Sequence, residues 1–135
     1  MGYYMATTLP ISFGEALERT EEALQREGFG IISQIDIQNA LKTKIGVDYR
    51  PYTILGACNP KLAYEALQIE DKVGTMLPCN VVVQQLGPQQ TEVAAIDPVA
   101  SMQAIENAEL TKAAREVRTR LGRVIESLGA FVESE

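Results

Sequence analysis

Histidine is absent from this chain of 135 residues, and so is tryptophan. Without histidine, no Ser-His or Cys-His pair and no H-E-x-x-H zinc motif can be built within the chain. No G-x-x-x-x-G-K-[ST] phosphate loop occurs either. The "GFG" at 28–30 follows a helical pattern and lacks a third glycine, so it is not a dinucleotide fingerprint. Excess positive charge is missing too. The net charge is −6 and the pI is near 4.7, which speaks against a phosphate-backbone binder and so against a nucleic-acid partner. The longest charge-free stretch, 73–91, contains Pro, Asn, Gln and Gly, so no membrane span is expected. The opening "MGYYMATTLP" has no basic leader and no small-residue cleavage site, which predicts a cytoplasmic protein. Two cysteines in that compartment are expected to stay reduced.

Apolar residues make up 46% of the chain. A chain of this length forms a single domain, expected over 1–135, and buries roughly two-thirds of its unfolded surface without disulfides or metal. With few aromatics, that core must be aliphatic.

The pattern predicts nine main elements and one short helical piece. Residues 3–9 alternate as a strand. Ser12 and Glu15 form a capping box for a helix with the stripe Phe13, Ala16, Leu17, Thr20, Ala23 and Leu24, stopped at Gly28. Residues 29–35 read as a strand. Asp36 caps a short helix that stops at Gly46. A third strand covers 50–58, where Gly56 marks a bulge or a close backbone approach. Asn59-Pro60 starts a helix, since Asn caps and Pro suits the first helical position. Residues 77–86 and 91–96 read as a hairpin across Gly87-Pro88. Asp97-Pro98 repeats the cap-then-proline device before a short helical piece. A long helix follows at 108–130.

That last helix carries Leu110, Ala114, Val117, Leu121, Val124, Leu128 and Phe131 at heptad-like steps. One amphipathic helix packed on a sheet accounts for this seam, and dimerisation through it is the competing expectation. Lys112, Arg115, Arg118, Arg120 and Arg123 lie mostly off the seam and read as a solvated face. The order of elements predicts an α+β fold, with helices on one face of a mostly antiparallel sheet. An α/β fold with a mixed, doubly wound sheet is the alternative.

Chemistry then rests on "GACNPKLAYEAL" (56–67) and "MLPCNVVV" (76–83), where each cysteine precedes an asparagine. Cys58 lies just before a helix N-terminus and near Lys61, an environment that favours thiolate. Cys79 is in phase with Leu77, Val81 and Val83 and can simply face the core. Buried free cysteine is common, so packing alone is a full explanation for either one. If the two strands are antiparallel, both thiols sit at one end of the sheet. If parallel, they are on the order of 20 Å apart. The candidate site is Cys58, Asn59, Cys79 and Asn80. Cys58 and Cys79 are the candidate metal ligands, for a soft ion such as Cu(I), or for zinc with carboxylate help. Three functions remain open: a non-enzymatic module for a small ligand or soft metal, a thiol-dependent redox or transfer enzyme with Cys58 attacking and Cys79 resolving, and an interaction domain with both cysteines in the core. No cofactor follows from these residues.

Those two segments, with "AIDP" (95–98), "EGF" (27–29) and "GVDYRPYTILGACNP" (46–60), resemble the family known as domain of unknown function 302. The likeness runs over nearly the whole chain. It implies a small α+β domain similar in architecture to the TATA-binding-protein fold, without its DNA role, and a homodimer. The family has no agreed activity, so the resemblance carries over no catalytic residue.

Overall fold

The computed structural model describes residues 2–133, and side chains as far as residue 130. Five strands form one sheet: β1 (Tyr4–Leu9), β2 (Gly30–Asp36), β3 (Tyr52–Cys58), β4 (Cys79–Gly87) and β5 (Gln90–Ile96). Their order across the sheet is β1-β5-β4-β3-β2. Every pairing is antiparallel, so the mixed-sheet alternative falls and the α+β expectation holds. The helices are α1 (Phe13–Arg26), α2 (Ile37–Ile45), α3 (Pro60–Ile69), α4 (Pro98–Ser101) and α5 (Ala108–Glu133). A 3-10 turn at Asp71–Met76, which the hydrophobic pattern does not predict, connects α3 to β4.

The predicted caps explain where the helices begin. Ser12 Oγ accepts a hydrogen bond from the Glu15 amide at 3.3 Å, and Asp36 Oδ1 accepts one from Asn39 at 2.9 Å. Each satisfies an amide that has no partner inside the helix. Gly46 ends α2 in the left-handed region, at φ 68°, where a Cβ would be strained.

Strand alternation sends Leu55, Val81, Val83, Val93 and Ala95 to one face, where all are buried. Helices α1 and α5 cover this face with Ala16, Ala23, Leu24, Val124 and Leu128. Burial of each such Leu or Val contributes about 1.5–3 kcal/mol. A second, smaller core gathers Ala66, Val73, Met102, Leu110 and Ala114. Helix α5 therefore serves both cores, its N-terminal turns the small one and its later turns the large one.

That arrangement bears out the single amphipathic helix packed on a sheet. Leu121 has 0% exposure within a single chain, so the heptad-like spacing is spent on the chain's own sheet. Phe131, the last seam position, lies outside the described side chains. The arginines off the seam act within the chain as well. Arg118 pairs with Asp97 at 3.1 Å, and Arg123 pairs with Glu27 at 3.0 Å. Arg120 pairs with Glu116 at 3.0 Å and donates to the Glu27 carbonyl at 3.2 Å. Glu27 caps the end of α1, so these contacts tie α5 to that terminus.

Candidate functional site

Strand β3 ends at Cys58 because Asn59 and Pro60 turn the chain into α3. Asn59 Oδ1 accepts from the Leu62 amide at 3.2 Å, and Pro60 takes the first helical position. Strand β4 runs antiparallel to β3 and begins at Cys79, with Ala57 and Cys79 as partners in the ladder. The end of β3 thus meets the start of β4, and both thiols come to the same end of the sheet. The antiparallel option of the sequence reading is the one the fold takes.

A cavity of about 300 Å³ opens there, between the large and small cores. Cys58, Asn59 and Cys79 line it. Phe29, Leu62, Ala66, Met102, Leu110 and Val117 supply much of the remaining wall, and among the described residues no charged one lines it. Among the described residues, Asn59 is the one lining residue with a polar side chain besides the thiols. Its carbonyl oxygen is engaged with α3, and its amide nitrogen stands 3.0 Å from where a Cβ on Gly28 would be. Gly28 has φ +87°, so only glycine ends α1 here without strain while leaving room for Asn59.

Cys79 is 7% exposed. Burial pushes its thiol from an ordinary value of 9.0 up to about 11, and the charge of a neighbouring Cys58 thiolate adds to the rise. The low-dielectric wall disfavours an anion. Cys58 is half-buried and Cys79 buried, and both are free thiols. Lys61 is exposed and is not among the lining residues.

Asn80 does not join the site. It follows Cys79 in a strand, so its side chain lies on the opposite face. There it is exposed and lines a shallow hollow with Tyr4, Tyr52 and Glu92. The matched Cys-Asn pairs are therefore unlike: Asn59 caps a helix beside the cavity, and Asn80 faces away from it.

Zinc with carboxylate help does not fit this wall, because among the described residues no carboxylate lines it. Among the described residues no three His, Cys, Asp or Glu side chains cluster as metal ligands. The sulfur donors are a different matter. Met102 lines the same cavity as both thiols, so three soft sulfur donors belong to its lining. Sequence patterning gave no signal for Met102, since α4 is too short for a hydrophobic period.

Ile32 was also invisible in the pattern. The β2–β3 register runs Ile31 with Ala57, then Ser33 with Gly56. Ile32 is the extra residue of a bulge, a device that re-aims a side chain. It is 63% exposed yet lines the cavity, which marks the rim.

The chain can now be set beside known proteins. The family described as "Domain of unknown function DUF302" matches residues 5–128. The crystal structure of an uncharacterized conserved protein DUF302 from Bacillus stearothermophilus is similar, with a TM-score of 0.85 and 29% sequence identity. The likeness covers 93% of this chain and 98% of that one. No curated protein matches the chain. The chain belongs to the domain of unknown function 302 family.

Proposed function

We propose that this family member is a small, non-enzymatic binding module whose site is the apolar cavity beside Cys58 and Cys79. One observation carries the reading: a space of about 300 Å³ at the junction of two cores, lined by no charge among the described residues. Such a volume is at the low end of the range for ligand pockets, roughly 300–1,000 Å³. A charged ligand would be stranded there without a counter-charge. The ligand class is a compact, uncharged, largely apolar molecule, with the two thiols and the Asn59 amide as the polar contacts. Thermal unfolding with benzene and with indole as probes tests this. A rise in Tm that vanishes in Ala114→Phe is expected. No shift with either probe, or an equal shift in the variant, overturns it.

A second reading is favoured by Met102. Two thiolates and a thioether are the donor set that selects Cu(I) among common metals. Binding would have to displace the Cys79 proton, so affinity should rise with pH. Competition for Cu(I) with a chromogenic chelator decides it: Cys58→Ser, Cys79→Ser and Met102→Leu should each weaken binding, and a protein that cannot compete excludes the reading. The thiol-enzyme reading ranks third. With Cys58 attacking, its resolving step needs the Cys79 thiolate, and burial pushes that thiol up to about 11.

A further inference from the structure

Antiparallel sheets that meet water on one face usually carry polar residues there. The face turned away from α1 and α5 does not, and its centre is hollow. The hollow holds about 340 Å³. Its floor includes Val82 and Ala94, which pair across β4 and β5. These side chains are short, so the larger residues around them stand as walls. Tyr4 borders one corner, where β1 pairs with Ile96 of β5. Tyr52 borders the opposite corner, in one row with Gln84 and Glu92. Three strand spacings, roughly 14 Å, separate the strands of these two tyrosines. Tyr3 packs on Tyr4 with ring centroids 5.0 Å apart and adds a third phenol to the wall.

The charge in this hollow is negative and has no counter-charge. Among the described residues Glu92 is the one carboxylate in its lining, and no Lys or Arg lines it. Gln84 donates to Glu92 Oε1 at 2.9 Å, and among the described residues no basic side chain pairs with Glu92. Arg50 is held elsewhere. It donates to the other end of the Gln84 amide at 2.8 Å and lies over the Tyr49 ring at 5.1 Å. Burial raises the pKa of the Tyr52 hydroxyl, and Tyr49, Glu92 and Tyr3 add to the rise while Arg50 opposes it. The carboxylate and the phenols therefore act on one place. We propose that this hollow is a binding site for a small organic cation, an ammonium that carries methyl or other apolar groups. Tyrosine faces attract such a cation through their ring quadrupoles. Glu92 supplies the counter-charge, and Val82 and Ala94 meet the apolar groups. A bare metal ion does not suit the site, since one carboxylate falls far short of the six to eight oxygens that calcium takes. An anion would face Glu92 with no cation in the lining to offset it. The net charge of −6 draws cations toward the chain as a whole.

This inference is independent of the cavity reading, since the hollow is on the other side of the sheet. Choline is the probe, and its control is the uncharged isostere in which a tert-butyl group replaces the trimethylammonium. The chain has no tryptophan, so its intrinsic fluorescence comes from tyrosine, and three of the five tyrosines line the hollow. Titration at constant ionic strength should change that emission saturably with choline. Amide resonances of Val82 and Ala94 should shift along the same curve. The isostere should bind roughly 10-fold more weakly or not at all, because it lacks the charge. Glu92→Gln should weaken choline roughly 10-fold and leave the isostere unaffected. Tyr4→Leu, at an exposed position, should weaken choline as well, and Ala114→Phe in the cavity wall should not. No saturable response to choline would overturn the inference. So would equal binding of the isostere, unchanged binding in Glu92→Gln, or a response that Ala114→Phe abolishes, which would put choline in the cavity.

Discussion

Gly56 of β3 lies hard against Ser33 of β2, opposite the bulge that turns Ile32 toward the cavity rim. A Cβ on Gly56 would press on Ser33 Oγ and stand 2.7 Å from Pro78 Cγ. Glycine is therefore required by space and not by backbone angle. We predict that Gly56→Ala destabilises the protein by about 1–3 kcal/mol, the usual cost of overpacking. Removing the hydroxyl with Ser33→Ala should recover part of that loss, while the Pro78 contact keeps the recovery incomplete. Urea unfolding of the two single variants and the double variant would check this. Strictly additive effects would show that Ser33 is not the obstacle.

The Cys79 thiol makes stability pH-dependent at the alkaline end. Its folded value, about 11, lies above the ordinary 9.0 because burial disfavours the anion. The neutral thiol's contribution is thus fully present below pH 9 and is lost as pH rises through about 11. That difference corresponds to about 2–3 kcal/mol at most. Tyr52 is raised in the same direction, chiefly by burial. We predict that stability falls across this window and that Cys79→Ala flattens the fall. Chemical denaturation at a series of alkaline pH values would read it. An unchanged slope in the variant would mean that Cys79 ionises without penalty.

Much of this arrangement was legible in the chain, and the reasons differ by element. The caps at Ser12, Asp36, Asn59 and Asp97 are local chemistry, so the sequence displays them directly. Gly56 announced a close approach, although its partner Ser33 did not. The pairing of Cys58 with Cys79 at one sheet end depended on strand direction, which no single segment encodes. The Leu121 spacing was read correctly as apolar, but spacing alone does not say whether the covering surface belongs to the same chain. Asn80 points away from Cys79 by simple strand alternation, which the repeated Cys-Asn pair does not override. Met102 and Ile32 reach the cavity through a four-residue helix and a bulge, neither of which has a period to detect.

The cavity predicts an unusual response to larger side chains. Ala114 and Ala66 line it from α5 and α3. In a filled core, a larger residue at such positions costs about 1–3 kcal/mol. Here Ala114→Ile should be neutral or should raise Tm by a few degrees, since the added carbons occupy open space lined by apolar atoms. The same variant should lose binding of benzene or indole. A marked drop in Tm would mean that the wall at Ala114 leaves no such room.

Asp97 connects the site to the rest of the fold, and its contribution can be separated from that of its ion pair. Its Oδ1 accepts from the Val99 and Ala100 amides at 3.0 and 3.4 Å, which starts α4. Its Oδ2 faces Arg118 at 3.1 Å. Asp97 is buried, whereas the Arg118 side chain is about half exposed. An exposed partner holds little of the pair's energy, because water replaces it at small cost. The buried cap has no such substitute, and α4 carries Pro98 and leads to Met102, both in the cavity wall. We therefore predict that Asp97→Ala costs about 1–2 kcal/mol, as lost caps do. Arg118→Ala should cost less than about 1 kcal/mol. Hydrogen exchange at Val99 and Ala100 should quicken in Asp97→Ala, and in Arg118→Ala it should stay near wild type. Equal effects of the two variants would instead make the ion pair, and not the cap, the element that fixes α4 against the cavity.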